Sequence, residues 1–180
     1  MLLLCGPAGA GKSHLAAVWA SQTGGRIVGA ADEPGDGPVA IEDLGAIAGN
    51  AKAEEAVFHF YNRAKAAGQP VLFTARAPAG QIGLKLPDLV SRLQALDMAQ
   101  LAPPDDALLG ALLTKQLADR QVEIDPEVVD YVLARVERRF DAVEALAAGL
   151  NTASLSRRRP ITKPLAREVI AALEPDPDAN

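Results

Sequence analysis

The sequence predicts an α/β fold, in which a five-stranded parallel sheet with flanking helices is followed by a small all-helical unit. Short apolar segments alternate with helix-like segments in the first part of the chain, as in parallel sheets with crossover helices. After Pro103-Pro104 every segment reads as a helix. The strands are predicted at residues 2–5, 26–28, 39–43, 71–74 and 98–101. We predict an α/β subdomain over 1–102, a helical subdomain over 103–174 and a disordered tail over 175–180.

Capping residues and apolar spacing place the helices. Asn50, Asp125 and Thr162 are predicted N-caps, because their side chains can accept hydrogen bonds from the first helical turn. The predicted helices cover residues 13–23, 50–67, 86–96, 105–120, 126–136, 139–156 and 164–173. In the first helix, the spacing of Leu15, Val18 and Trp19 predicts one apolar face.

Composition excludes several classes of protein. The chain has 180 residues, a net charge of −5 and a single cysteine, Cys5. The negative net charge disfavours a broad basic surface that would bind nucleic acid. A single cysteine rules out an internal disulfide. No apolar run approaches the ~20 residues that span a bilayer, and the first residues lack the charged start of a signal peptide. We expect a cytoplasmic protein without a membrane partner.

The segment that organises the chain matches the phosphate-loop pattern G-x-x-x-x-G-K-[ST] at every fixed position, between a predicted strand and a predicted helix. Its residues are Gly6, Pro7, Ala8, Gly9, Ala10, Gly11, Lys12 and Ser13. The three glycines allow positive φ, and the helix start adds partial positive charge. Lys12 is placed to reach the β- and γ-phosphates, and the Ser13 hydroxyl to ligate Mg²⁺. We therefore predict that the loop binds ATP or ADP with Mg²⁺.

His14 directly follows the loop serine and is included among the predicted nucleotide-binding residues. No second His or Cys lies nearby to complete a metal-binding set, so we expect no metal-ligating role for it. A packing or surface role is the alternative.

Two carboxylates, Glu42 and Asp43, end the third predicted strand. In a protein with a phosphate loop this is the position of a Walker B element, which holds Mg²⁺ and orients the attacking water. We predict that Glu42 joins Ser13 at the metal and that both acids are catalytic. The alternative is that two acids simply begin a loop after a strand.

Polar residues also follow the fourth predicted strand, where Thr74 and Arg76 close an apolar segment. Strand-end polar residues face the nucleotide in doubly wound sheets. Thr74 and Arg76 are therefore candidates for sensing phosphate, with ordinary strand-end polarity as an equal alternative.

Further motifs follow in a fixed order along the chain. They are Leu86-Pro87-Asp88-Leu89-Val90-Ser91-Arg92-Leu93, Pro103-Pro104-Asp105-Asp106, Asp119-Arg120-Gln121, Glu137-Arg138-Arg139-Phe140 and Arg159-Pro160-Ile161-Thr162. Together with the phosphate loop, the Walker B strand and Leu72-Phe73-Thr74, they resemble the AAA+ ATPases of the DnaA/Hda family. Within that family the short Hda-like regulators are most similar. The resemblance covers nearly the whole chain.

The resemblance implies an AAA+ P-loop fold with a helical lid, and a role for each matching residue. Arg92 matches the arginine finger, which would reach the γ-phosphate bound by a neighbouring subunit. Arg138 matches the sensor-2 arginine of the lid, which would touch the nucleotide of its own subunit. Thr74 lies in the sensor-1 region. The implied function is regulation of replication initiation, in which the finger promotes hydrolysis of ATP bound to the initiator DnaA.

The resemblance also implies partners, with departures from the family pattern. DnaA is the expected partner, and the sliding clamp is a further one. Met1 opens the first strand directly, so we expect the N-terminal clamp-binding peptide of the family to be missing here, either because the start is truncated or because this version works without it. The chain ends after the last lid helix, so we expect no DNA-binding domain and no sequence-specific DNA contact. Walker B reads Glu-Asp where Asp-Asp or Asp-Glu is usual, and this predicts weak intrinsic ATP hydrolysis.

Two other functions stay open at the level of sequence. One is a self-sufficient AAA+ ATPase of the helicase-loader type, and the other is a non-hydrolysing AAA+ adaptor. The sequence also leaves open whether the protein forms a homodimer.

Overall fold

The computed structural model of the chain describes residues 1–157 and 159–173. The chain divides into two compact units, with the boundary between Ala102 and Pro103. The predicted tail, 175–180, lies outside the described residues. No helix within the described part of the chain combines the length and the apolar character that a bilayer crossing requires.

The first unit is built on a parallel sheet. Its strands are β1 Leu2–Cys5, β2 Arg26–Gly29, β3 Val39–Glu42, β4 Val71–Ala75 and β5 Asp97–Gln100. Their order across the sheet is β2-β3-β4-β1-β5, and every pairing is parallel. The helices are α1 Lys12–Thr23, α2 Ala51–Ala66 and α3 Pro87–Gln94, with 3₁₀ turns at Leu44–Ile47 and Ala79–Gln81. The predicted five-stranded parallel sheet is confirmed.

The sheet is stabilised by burial on both faces. The three central strands β3, β4 and β1 are almost entirely buried, as expected for a parallel sheet covered by helices. One face packs against α2 and α3 through residues such as Phe60, Tyr61 and Leu89. The other face packs against α1 through a smaller cluster that contains Leu4 and Ala16.

The prediction for the apolar face of α1 was wrong. Leu15 and Val18 are 42% and 38% exposed, whereas Ala16 and Ala20 are buried. Trp19 is half-buried and packs against the cluster on that side of the sheet. Apolar residues surround nearly the whole helix, so spacing alone selects no face. The side with the smallest residues is the buried one, because alanines allow the helix to approach the strands closely.

The second unit contains α4 Asp106–Ala118, α5 Pro126–Leu133, α6 Phe140–Arg157 and α7 Lys163–Leu173. Leucines and valines from all four helices form its core, including Leu113, Val132 and Leu146. The predicted cap Asp125 accepts a hydrogen bond from the N–H of Glu127 at 3.1 Å. Asp105, at the start of α4, accepts one from the N–H of Leu108 at 2.8 Å. An isolated parallel bridge joins Ile124 to Ile161.

A buried carboxylate joins three parts of the first unit that are distant in sequence. Glu54, in the first turn of α2, is fully buried. Its Oε1 accepts a hydrogen bond from the N–H of Gly49 at 2.7 Å. Its Oε2 accepts from the N–H groups of Lys85 at 2.8 Å and Leu86 at 2.7 Å. Burial acts to raise the pKa of Glu54, but the bonds from Leu86, Gly49 and Lys85 outweigh it and hold the pKa below its usual value.

We expect Glu54 to make stability dependent on pH in the acidic range. Its pKa is lower in the folded than in the unfolded chain, so its contribution is complete above the unfolded value of ~4.3 and is lost as pH falls through the folded value. Glu54→Gln should lower the free energy of unfolding of the first unit by about 1.5–3 kcal/mol at pH 7. The difference from wild type should shrink below about pH 4.3.

Urea unfolding followed by fluorescence of Trp19 measures this difference, because the only tryptophan of the chain lies in the first unit. Glu55→Gln is the matched control, since Glu55 is the exposed neighbour on the same helix. A difference between wild type and Glu54→Gln that stays constant from pH 7 to pH 3 would contradict the assignment.

Candidate functional site

The order of the strands brings the predicted site residues to one edge of the sheet. The phosphate loop follows β1, Glu42 and Asp43 close β3, and Thr74 lies near the end of β4. The pairing of β1 with β4 places Leu4 opposite Thr74. The N–H of Asp43 donates a hydrogen bond to Oγ1 of Thr74 at 3.0 Å. Loop, acids and threonine therefore converge on the carboxyl ends of neighbouring strands, where ligands bind in such sheets.

The phosphate loop needs its glycines for two different reasons. Gly9 and Gly11 have φ of 70° and 87°, a region that favours glycine, as predicted from the sequence. Gly6 is not in this region. A Cβ on Gly6 would lie 2.9 Å from the carbonyl oxygen of Leu101, so this glycine permits a close approach of two backbones. Gly11 is also the N-cap of α1, and the first N–H groups of that helix follow it.

Lys12 folds back over the loop. Its Nζ donates hydrogen bonds to the carbonyl oxygens of Gly6 at 2.8 Å and Pro7 at 2.7 Å. Partial burial, and next the positive charge of Arg76, lower the pKa of Lys12. The nearby acids, Asp43 most strongly, oppose this shift. Lys12 and the helix start give the loop the donors and the positive potential that a phosphate group requires.

Glu42 has an acceptor that is unsatisfied. Its Oε1 is buried and has no hydrogen-bond partner among the described residues. A buried oxygen without a partner is costly, and a bound cation or water would relieve that cost. No group of three His, Cys, Asp or Glu side chains in the described part of the chain could hold a metal by itself. Mg²⁺ is commonly held by one or two protein oxygens and by substrate phosphates, so Glu42 and Ser13 fit such an ion.

Asp43 has a different environment from Glu42. Its φ is 54°, in the left-handed region that is uncommon for residues other than glycine. Its Oδ2 forms an ion pair with Nη2 of Arg76 at 3.4 Å. Asp43 and Arg76 line a cavity of about 350 Å³ together with Gly45, Ala46, Ala77, Gln81 and Ile82. The second of the two predicted Walker B acids is thus paired with a cation that the sequence did not assign to it.

The remaining predicted residues occupy separate positions. Ser13 and His14 are exposed on the first turn of α1. Arg92 is exposed on α3 and forms no ion pair with any described residue. Arg138 belongs to the helical unit, where its Nη2 donates a hydrogen bond to Oδ2 of Asp106 at 2.9 Å. The structure thus brings the loop, Glu42, Asp43, Thr74 and Arg76 together.

Sequence reasoning missed Glu54 and the partner of Arg76. Three hydrogen bonds to the carboxylate of Glu54 come from backbone N–H groups. Backbone groups carry no residue-specific signal in a sequence. One hint was available, because Glu54 lies four residues after Asn50, within the first turn of a predicted helix, where an acid is favoured. The Asp43–Arg76 pair depends on the β3–β4 pairing, which the sequence does not specify.

Comparison with known proteins gives one family match and a set of structural matches. Residues 105–170 match the family model of the Hda lid domain. Domain III of the replication initiation protein DnaA from Thermotoga maritima matches with a TM-score of 0.83 and 18% identity, covering 97% of this chain and 85% of that one. AMPPCP-bound DnaA from Aquifex aeolicus matches with a TM-score of 0.71 and 17% identity, covering 86% and 56%.

A third structure is similar over the same region. The RuvB Holliday junction branch migration motor of Thermotoga maritima matches with a TM-score of 0.74 and 19% identity, covering 97% of this chain and 62% of that one. The chain thus spans little more than half of the longer DnaA and RuvB chains. These matches confirm the predicted AAA+ fold and the resemblance to the DnaA/Hda family.

We expect Lys12→Ala to weaken ADP binding about tenfold to a hundredfold, since the substitution removes a charge-assisted contact to phosphate. Isothermal titration calorimetry measures the affinity. Lys52→Ala, which removes an exposed lysine from α2, is the control and should bind ADP as wild type does. Equal ADP affinity of Lys12→Ala and wild type would show that the loop is not the phosphate site.

Proposed function

We propose that this chain, whose residues 105–170 match the Hda lid domain, is a nucleotide-binding regulator of replication initiation that promotes hydrolysis of DnaA-bound ATP. In this proposal ATP or ADP with Mg²⁺ occupies the phosphate loop, and Arg92 acts in trans on the nucleotide of DnaA. The observation that carries the proposal is the match of residues 105–170 to the Hda lid domain. Structural likeness to a DnaA that holds AMPPCP supports nucleotide binding.

The state of Arg92 supports action in trans. An arginine finger acts on a nucleotide that another subunit binds. Its side chain therefore has to be exposed and free of a competing partner. Arg92 meets both conditions within the described residues, whereas Arg76 and Arg138 are each paired with an aspartate. A guanidinium delivered to a γ-phosphate neutralises charge that develops in the transition state.

The site favours weak hydrolysis in the subunit itself. Hydrolysis requires a metal, a water molecule and the γ-phosphate in line, and small misplacements are costly. Glu42 is one methylene longer than the aspartate usual at the metal position, and Asp43 is paired with Arg76. The same features would suit a non-hydrolysing adaptor, in which the AAA+ fold serves protein contacts alone. An adaptor would bind DnaA without changing its rate of hydrolysis.

We propose further that Arg138 acts as a sensor-2 residue and that Thr74 acts in the sensor-1 region. The hydrogen bond from Asp43 to Thr74 supports the second role, because it ties the threonine to a Walker B acid. Contact with the sliding clamp and formation of a homodimer stay predictions.

Arg92→Ala should abolish the stimulation of ATP hydrolysis by DnaA. An arginine finger is worth about 10³–10⁵ in rate, whereas a surface ion pair is worth about 0–1 kcal/mol, so the two roles differ measurably. Arg92→Lys should restore little activity, because lysine lacks the planar fork of arginine. Single-turnover hydrolysis of DnaA·ATP on clamp-loaded DNA measures the effect.

Arg167→Ala is the matched control, since Arg167 is an exposed arginine on α7 of the helical unit. It should stimulate DnaA as wild type does. If Arg92→Ala also stimulates as wild type does, the finger assignment is wrong. If neither protein changes the rate of hydrolysis by DnaA, the adaptor becomes the better account.

The isolated protein should turn over ATP well below the ordinary enzyme range of about 1–10³ s⁻¹, because its Walker B acids are poorly arranged for hydrolysis. A steady-state phosphate-release assay without DnaA measures this rate, with Lys12→Ala as the background control. Turnover inside that range would favour a self-sufficient ATPase.

A further inference from the structure

The helix that carries Arg92 depends on contacts outside itself. α3 has eight residues, Pro87–Gln94, and its N-cap Leu86 provides no side-chain cap. Helices of this length are marginal on their own and depend on tertiary contacts. The position of Arg92 is therefore set by whatever fixes α3 against the rest of the unit.

Two kinds of contact hold α3. Leu89 and Leu93 are buried in the core and determine which face of the helix is turned inward. The second contact is polar and directional, because both N–H groups just before the helix, those of Lys85 and Leu86, donate to Oε2 of Glu54. Directional bonds to two successive donors fix where the helix begins.

Glu54 also connects α3 to the segment that follows the Walker B acids. Its Oε1 accepts from the N–H of Gly49, just after the 3₁₀ turn Leu44–Ile47 that succeeds Asp43. One buried carboxylate thus holds that segment and the start of α3 at a fixed separation. The anion lies at the amino end of α3, where the helix dipole favours negative charge.

We propose that Glu54 is a positioning residue for Arg92: it sets the start of α3 so that the arginine reaches the γ-phosphate of a neighbouring AAA+ subunit. This inference rests on the proposed function. Glu54 does not touch the nucleotide in this account and acts only through α3. Misplacement of a catalytic group by about 1 Å can cost about 10²-fold in rate, so loss of this anchor should be visible in the stimulated reaction.

Glu54→Gln tests the proposal with little change in shape. The glutamine amide group is a donor, and each end of the side chain faces backbone N–H donors. Whichever way the amide points, Gly49 or the Lys85–Leu86 pair loses its acceptor. Glu54→Asp is the second variant, since it keeps the charge but is one methylene shorter.

The assay is hydrolysis of DnaA·ATP at increasing concentrations of each variant, under conditions in which fluorescence of Trp19 shows the first unit to be folded. We expect the maximal stimulated rate to fall about 10²-fold for Glu54→Gln. The concentration for half-maximal stimulation and the affinity for ADP should equal those of wild type. A merely structural role would lower stability and leave the maximal rate per folded molecule unchanged.

Ala64→Gly is the matched control for loss of stability. Ala64 is fully buried on α2, ten residues beyond Glu54, and glycine destabilises a helix interior. This variant should keep the wild-type maximal rate. If it loses the rate as Glu54→Gln does, the effect is one of stability and the positioning role is wrong.

The outcomes separate the two proposals. If Arg92→Ala abolishes stimulation while folded Glu54→Gln retains the wild-type maximal rate, the positioning role is wrong and the proposed function stands. If Glu54→Gln does not fold, Glu54→Asp decides in the same way. If Arg92→Ala itself stimulates as wild type does, the finger role of Arg92 in the proposed function fails, and the positioning role fails with it.

Discussion

The site depends on the position of β4 between β1 and β3. The chain reaches β4 only after α2, yet this strand pairs with both earlier strands and brings their ends to one edge of the sheet. It contributes Thr74, whose hydroxyl accepts the hydrogen bond from Asp43, and Arg76, which pairs with the Asp43 side chain. Without β4 between them, the ends of β1 and β3, which carry the predicted phosphate loop and the predicted Walker B acids, would not be held at one edge of the sheet.

The candidate cations differ in whether another group of the protein already binds them. Lys12 is held by the loop carbonyls, Arg76 by Asp43 and Arg138 by Asp106. Exposed ion pairs contribute only about 0–1 kcal/mol, so a phosphate group can replace the carboxylate of Asp43 or Asp106 at little cost. Arg92 has no such partner among the described residues. This contrast agrees with a proposal in which Arg92 serves a nucleotide outside its own subunit.

Glu54 anchors the start of α3 from the interior of the unit. The cost of burying its charge is offset by three backbone donors, at the start of α3 and after residues 42–47, that have no other acceptor within the described part of the chain. Buried polar groups whose hydrogen bonds are satisfied make the structure around them rigid. The exposed α3 surface is therefore held by an interaction in the interior of the unit.

The sequence by itself determined the parallel sheet, the two units and the phosphate loop, because strand alternation, Pro103-Pro104 and an eight-residue motif are local signals. Only the tertiary structure decided which side of α1 is buried, because apolar residues surround that helix and close packing selected its alanines. The tertiary structure alone also revealed the contacts of Glu54 and Arg76. Both depend on segments that approach each other in space, and backbone donors leave no trace in the sequence.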